Sequence, residues 1–299
     1  MTQDASARAL RRRGYLLAIL ANLCFSSGGF WIRSLEAPPD GHEIVFWRSV
    51  GMVSVLALAL AIRDRGNVFA KIRAVGPWGV VSAAFLASTF FAFILSITRT
   101  TVANTTLVMS LAPLFGAVAG LIFLREPVAA RTWIAIGVAA AGLTAMLIDS
   151  LSGDGLVGIL FALGVPVGLA ANVVINRRHG QGVDMVPTVL IAGLLSLPIA
   201  LPFAAPFDAG PRDIGIVLVM GAVQLAGGCV LITLAMRHLP AAEIGLFTLL
   251  ETVLGPAWVW LAYGETPTAM ALAGGASIVG ALLLNSLLDR KGDGRAGGG

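Results

Sequence analysis

From Gly14 to Leu288 the sequence is a succession of apolar runs of about 20 residues, broken only by short charged or Pro- and Gly-containing segments. A helix rises 1.5 Å per residue, so each run matches the roughly 30 Å hydrocarbon core of a bilayer. Hydrophobic residues make up 57% of the chain and charged residues 12%, about half the charged share of an ordinary soluble domain. The solvent for most of this fold is lipid. In lipid every backbone N–H and C=O must be satisfied within the spanning segment, which selects helices here.

The first apolar run leads into "GGFWIRSLEAPPD" without a small-residue cleavage site, so it is expected to stay as a helix rather than be removed as a signal peptide. Cys24 and Cys229 both fall inside predicted spans, where they read as small hydrophobes. The pI near 9.7 does not indicate nucleic acid, because the basic residues are scattered through short loops and tails and form no stripe on a polar domain. No cofactor motif or metal-ligand set is present, and neither is expected.

Spans are predicted near 14–33, 43–62, 77–97, 104–124, 130–148, 155–175, 186–204, 213–235, 241–261 and 266–287. The seventh is interrupted by Pro198 and Pro202, where a kink is expected. With the amino terminus in the cytoplasm, all twenty Lys and Arg except Arg33, Arg48, Arg99 and Arg212 fall on the cytoplasmic side. This positive-inside bias supports ten spans with both termini cytoplasmic. The outer loops, such as "SLEAPPDGH" and "DSLSGDG", leave no room for an extracellular domain.

At a constant offset, "TRTTVANTTLVMSLAPLFGAVAGLIFLRE" (98–126) aligns without a gap on "RHLPAAEIGLFTLLETVLGPAWVWLAYGE" (237–265). Gly116 meets Gly255 and Glu126 meets Glu265. The chain then divides into a cytoplasmic tail at 1–13, a five-span repeat at 14–149, a second at 150–288 and a cytoplasmic tail at 289–299. Five is odd, so the second copy enters the membrane from the opposite side. The fold expected is all-α and polytopic, with ten transmembrane helices as two inverted five-helix repeats around a central cavity, an arrangement suited to alternating access.

"FWR" at 46–48, "LAPLFGAVAGLIFLRE" and "LLETVLGPAWVWLAYGE" resemble the second-, fourth- and ninth-span patterns of the EamA-type branch of the drug/metabolite transporter superfamily. The resemblance covers nearly the whole chain. In the first span the family often has Trp-Gly followed by Lys; this chain has "FSSGGFWIR" instead, with Phe25, Ser26 and Arg33. Size and the lack of extra domains are most like the family's aromatic amino acid exporters. The resemblance implies a basket of ten helices with a cavity lined by spans 1, 3, 4, 6, 8 and 9, spans 5 and 10 serving as scaffold. It also implies export rather than import.

Polar residues at membrane depth fall on those spans: Asn22, Ser26 and Ser27 on span 1, Thr89 on span 3, Ser110 on span 4, Gln224 on span 8, and Thr248, Glu251 and Thr252 on span 9. A carboxylate at bilayer centre costs roughly 2.5–3.5 kcal/mol on insertion scales, so Glu251 should face the bundle interior. It can exchange a proton, attract the amino group of a zwitterionic substrate, or hydrogen-bond a neighbouring helix through Gln224 or Asn22. For the Ser and Thr residues the simplest role is a hydrogen bond back to their own helix. Phe25, Phe90, Phe91, Met109 and Trp258 are candidates for an apolar cavity wall, with core packing as the competing role. The glycines of "SSGG" (26–29) and "AGGC" (226–229) permit close packing or bending. Arg48 and Arg99 are expected near the outer interface, snorkelling or contacting an outer gate.

An intramembrane enzyme would need a nucleophile and base or metal ligands at depth. His42, His179 and His238 lie in or beside loops, and the chain has no HExxH, GxSxG or P-loop pattern. No catalytic residue is assigned. The expected function is secondary transport of a small molecule, an amino acid or similar, across the bacterial inner membrane. Protons are a possible coupling partner, no nucleic acid is involved, and the carrier is expected to be a monomer. A nucleoside, sugar phosphate or drug carrier is the alternative, and a channel the more distant one.

Overall fold

The computed structural model describes residues 2–63, 67–128, 130–149, 154–179, 185–235, 238–239, 241–269, 271–277 and 279–280; at 2–9, 131, 145–149, 154, 185 and 241–249 it describes the backbone alone. Among the described residues every regular element is a helix. Span 1 is α1 (Thr2–Ser26) with α2 (Gly28–Arg33), and span 2 is α3 (Gly41–Arg63). A short helix, α4 (Val68–Ala74), stands in what reads as a loop, with no buried residue. Spans 3 and 4 are α5 (Gly76–Ile97) and the sequence α6 (Val102–Met109), α7 (Ala112–Ala119) and a π-turn (Gly120–Leu124). Then follow α8 (Ala130–Asp149), α9 (Asp154–His179) and α10 (Met185–Ala204) as spans 5, 6 and 7. Span 8 is α11 (Pro211–Met220), a π-helical segment (Gly221–Gly227) and α12 (Gly228–Ala235); span 9 is α13 (Ala241–Tyr263).

Seven of these stretches are long and apolar enough to cross a membrane among the described residues: Leu10–Arg33, Gly41–Arg63, Gly76–Ile97, Val102–Leu124, Gly155–His179, Val186–Ala204 and Pro211–Ala235. Of the expected tenth span, 269, 271–277 and 279–280 are helical, and 270, 278 and 281–287 lie outside the described residues. Exposed Leu58, Ile62, Ile122, Phe123, Trp133 and Ile134 make up the outer surface, as expected of a protein whose surroundings are hydrocarbon.

The breaks have local causes. Pro113 sits at the start of α7; it has no N–H, and its ring would clash with the carbonyl four residues earlier, at Met109. The helix therefore stops at Met109 and restarts at Ala112. Span 1 breaks at Ser27, where the hydroxyl donates to the Cys24 carbonyl at 2.6 Å and two glycines follow. By contrast α10 runs unbroken through Pro198 and Pro202, packed against α3 and α5.

The helix contacts fall into matching sets. Span 3 packs on span 6 and span 8 on span 1; span 4 packs on span 6 and span 9 on span 1; span 2 meets span 7 and span 4 meets span 9. Exchanging spans 1–5 with spans 6–10 reproduces every one of these pairs. The ends of spans 4 and 9 share one backbone feature as well: Arg125 and Gly264, each just before a glutamate, are both left-handed, at φ 57° and 70°.

Two glycines set the distance between spans 2 and 8. A Cβ on Gly221 would collide with the Arg48 carbonyl oxygen, and one on Gly51 with that of Leu218. Without side chains at these two positions, α3 and the π-helical segment meet backbone to backbone. Two buried carboxylates fix the loops at one end of this pair. Glu43 accepts from the N–H groups of Asp208 and Ala209, each at 3.2 Å, and Asp213 from those of Glu36 and Ala37 at 3.3 and 3.1 Å.

Candidate functional site

Arg48 does not snorkel out to the surface, as its nearness to the start of span 2 suggested. It is 3% exposed, because the close approach of α3 to span 8 and the rings of span 3 cover it. Its guanidinium carbon lies 5.8 Å from the Phe90 ring centroid and 5.3 Å from that of Phe93, within cation–π range. Its Nη2 donates to Gln224 Oε1 at 3.0 Å, and Gln224 Nε2 donates to the Phe25 carbonyl at 3.2 Å. Gln224 lies in the π-helical segment of span 8, a backbone form frequent at functional sites.

Glu251, on α13, is half-buried. It forms no contact ion pair with Arg48 and has no hydrogen bond among the described residues. Neither expected partner takes it. Gln224 is engaged as above, and Asn22 Nδ2 donates to the Ala18 carbonyl at 2.8 Å while Asn22 Oδ1 has no partner.

The hydroxyls behave as their helix positions predict. Ser26 donates to Leu23, Ser27 to Cys24, Thr89 to Leu86 and Ser110 to Leu107, at 2.6–3.1 Å. Ser26 and Ser27 also accept from the indoles of Trp258 and Trp31, at 3.1 and 3.0 Å, which joins span 1 to span 9 and stiffens the break at Ser27. Phe90 is buried, whereas Phe25, Phe91 and Met109 are half-buried and pack on the two largest core clusters. Thr252 is buried; the side chain of Thr248 lies outside the described residues. The glycines of spans 1 and 8 pack closely: Gly28 faces Gln224 and Phe93, and Gly228 faces the Phe25 ring.

Two ion pairs close the ends of the bundle. At one face Arg33 Nε donates to Glu265 Oε2 at 2.6 Å, and the guanidinium also donates to the carbonyls of Ile97 and Thr100 at 3.1 and 3.2 Å. Glu265 Oε1 accepts from the Val102 N–H at 2.9 Å. This clasp ties the ends of spans 1, 3 and 9 to the start of span 4. At the opposite face Arg177 Nη1 donates to both oxygens of Glu126, at 3.1 and 2.8 Å. The two pairs correspond: each joins the end of span 1 or 6 to the glutamate after span 9 or 4. They differ in burial, with side chains 27% and 22% exposed for Arg33 and Glu265 but 60% and 50% for Arg177 and Glu126. Beside the exposed pair lies an open groove of ≈ 500 Å³ lined by Ile122, Phe123, Leu124, Arg125 and Arg178. It is distinct from the Arg48 centre.

The model of the EamA-like transporter family matches residues 12–148 and again residues 156–287. The chain belongs to the EamA-like transporter family. This EamA-like chain is 28% identical over 280 residues to the pseudopaline exporter CntI of Pseudomonas aeruginosa, both in strain UCBPP-PA14 and in strain PAO1. The matched region covers 90% of this chain and 94% of each relative. A solved crystal structure superposes with a TM-score of 0.64 at 19% identity, over 93% of this chain and 98% of the other, a likeness of fold. Membership and the exporter relative make this protein a multi-pass membrane transporter of small metabolites, not an enzyme. Sequence reasoning had the clasp glutamates in hand as the aligned pair Glu126 and Glu265. It missed their arginine partners, and the signal was available in Arg33 and Arg177 at the ends of spans 1 and 6.

Proposed function

We propose that this EamA-like protein exports amino acids, including aromatic and other apolar ones, by alternating access. The reading takes ten spans as two inverted repeats, both termini in the cytoplasm and the inner membrane of a bacterium as the location. One observation carries it: Arg48 is buried with its Nε lacking a partner, and span 9 brings a half-buried carboxyl, Glu251, that has no hydrogen bond among the described residues. Each charge is costly at membrane depth, and a zwitterion between them offsets both costs. Half-buried Phe25, Phe91 and Met109 supply apolar surface for a side chain, and Glu251 is the group that meets an ammonium or carries a proton. The unequal clasps fit a carrier caught with one face shut. With no ATP-binding motif in the sequence, the driving force is the substrate's own gradient or a proton gradient. A different metabolite is the second reading, favoured by the relative that exports pseudopaline.

Purified protein in liposomes, given a panel of labelled amino acids with and without a pH gradient, tests this directly. Saturable flux with counter-transport of an aromatic amino acid is the expected result. Unsaturable flux indicates a channel, and flux of none of the panel overturns the amino acid reading.

A further inference from the structure

We infer that Arg48 is the group that receives the carboxylate of the transported molecule; this rests on the carrier function proposed above and assigns the anion-binding half of its site. A guanidinium offers five N–H donors. Here a single described hydrogen bond engages one of them, to a neutral amide oxygen of Gln224, and Nε has no partner although it is fully buried. The two phenyl rings attract the positive charge but accept no N–H···O bond and carry no negative charge. A buried cation left this way lacks an anion. Glu251 makes no ion pair with it, and the buried carboxylate of span 2, Glu43, is taken up by Trp47 and the backbone of Asp208 and Ala209.

The planar fork of a guanidinium pairs with a carboxylate through two parallel N–H···O bonds, which an ammonium cannot do. Gln224 fixes one edge of the fork and is itself fixed by the Phe25 carbonyl, so the orientation is set before anything binds. The close approach of Gly221 to the Arg48 backbone and of Gly51 to that of Leu218 holds Arg48 against Gln224. A carboxylate on Arg48 leaves the substrate's ammonium directed at Glu251 and its side chain among Phe25, Phe91 and Met109. A plain strut between spans 2 and 8 requires the Gln224 bond alone and does not distinguish one ligand from another.

The test is equilibrium binding to the purified full-length protein in detergent, with three probes sharing one ring: phenylalanine, 3-phenylpropionate without the amino group, and phenethylamine without the carboxylate. Wild type is expected to bind phenethylamine at least about tenfold more weakly than phenylalanine. Arg48→Gln should remove that preference, and Arg48→Lys should restore part of it, with a melting curve for each variant. If Arg48→Gln does not fold, the wild-type series decides alone. Equal binding of phenylalanine and phenethylamine by wild type, or equal weakening of both by Arg48→Gln, overturns the assignment. Binding of 3-phenylpropionate without phenylalanine overturns the amino acid reading and keeps the anchor. Binding of none of the three overturns both.

Discussion

Glu251 has no ion pair or hydrogen bond among the described residues, and the proposed function gives it a role in what it meets from the interior. Removing its charge with Glu251→Gln keeps the shape and is expected to lower liposome efflux at least about tenfold, in line with the loss of a charge-assisted hydrogen bond of about 1.5–3 kcal/mol. It should also abolish any dependence of the rate on pH; unchanged rate and pH profile would remove Glu251 from the mechanism. Outside the membrane, Asp40 caps the start of span 2, accepting from the backbone N–H of His42 at 2.8 Å and meeting its ring at 2.7 Å. Burial alone would raise its pKa, but these hydrogen bonds and the charges of His42 and Arg99 hold the carboxyl below its ordinary value. A group depressed in this way stabilises the fold above its unfolded pKa and gives that up as pH falls through the folded value. Asp40→Asn should therefore flatten the fall in melting temperature below about pH 4, read by melting in detergent across that range. A slope equal to wild type would show that the cap contributes nothing to acid stability.

Among the helices, the proposed site falls where regularity stops. Spans 1, 4 and 8 are each broken, at Ser27, at Ser110 and Leu111, and through Gly221–Gly227, and spans 1 and 8 meet spans 2 and 9 around Arg48 and Glu251. The break in span 4 was legible in Pro113. The π-helical segment was not, since an α-helix and a π-helix share the same apolar pattern and differ by one inserted residue per turn. The span positions themselves followed from length and polarity, because hydrocarbon thickness is a constraint each segment meets by itself. The close approach of spans 2 and 8 was not legible, since the chain has 36 glycines and nothing local marks Gly51 and Gly221 as the two that admit it. Gly221→Val is expected to cost about 1–3 kcal/mol by overpacking and to weaken phenylalanine binding by prising Arg48 from Gln224. A melting temperature and affinity both at wild-type values would mean that the backbone contact is dispensable.

Across the molecule, the two clasps make a pair of ends that need not be closed together. The clasp at Arg33 is half-buried and also bonded to the carbonyls of Ile97 and Thr100 and the N–H of Val102, whereas that at Arg177 is exposed and, among the described residues, bonded to Glu126 alone, a kind of pair worth about 0–1 kcal/mol. Glu265→Gln should therefore open the Arg33 face, raising the labelling of a single cysteine placed between spans 1 and 9 there. Each 1.4 kcal/mol lost shifts the balance about tenfold. Glu126→Gln should change labelling little, and the exchange Arg33→Glu with Glu265→Arg should recover part of the closure. Equal effects from Glu265→Gln and Glu126→Gln would show that the two ends are held alike.

What the amino-acid sequence determined by itself was the solvent, the helical class, the positions of the seven long apolar spans and the repeated pattern ending in Glu126 and Glu265, because backbone satisfaction and hydrophobic length are settled within each segment. Which charges meet was decided only when the helices packed. Arg48 finds Gln224 across 176 residues of chain, and Arg33 finds Glu265 across 232. A side chain's partner depends on which helices touch and at what height, and two leucine-rich helices carry little local record of either.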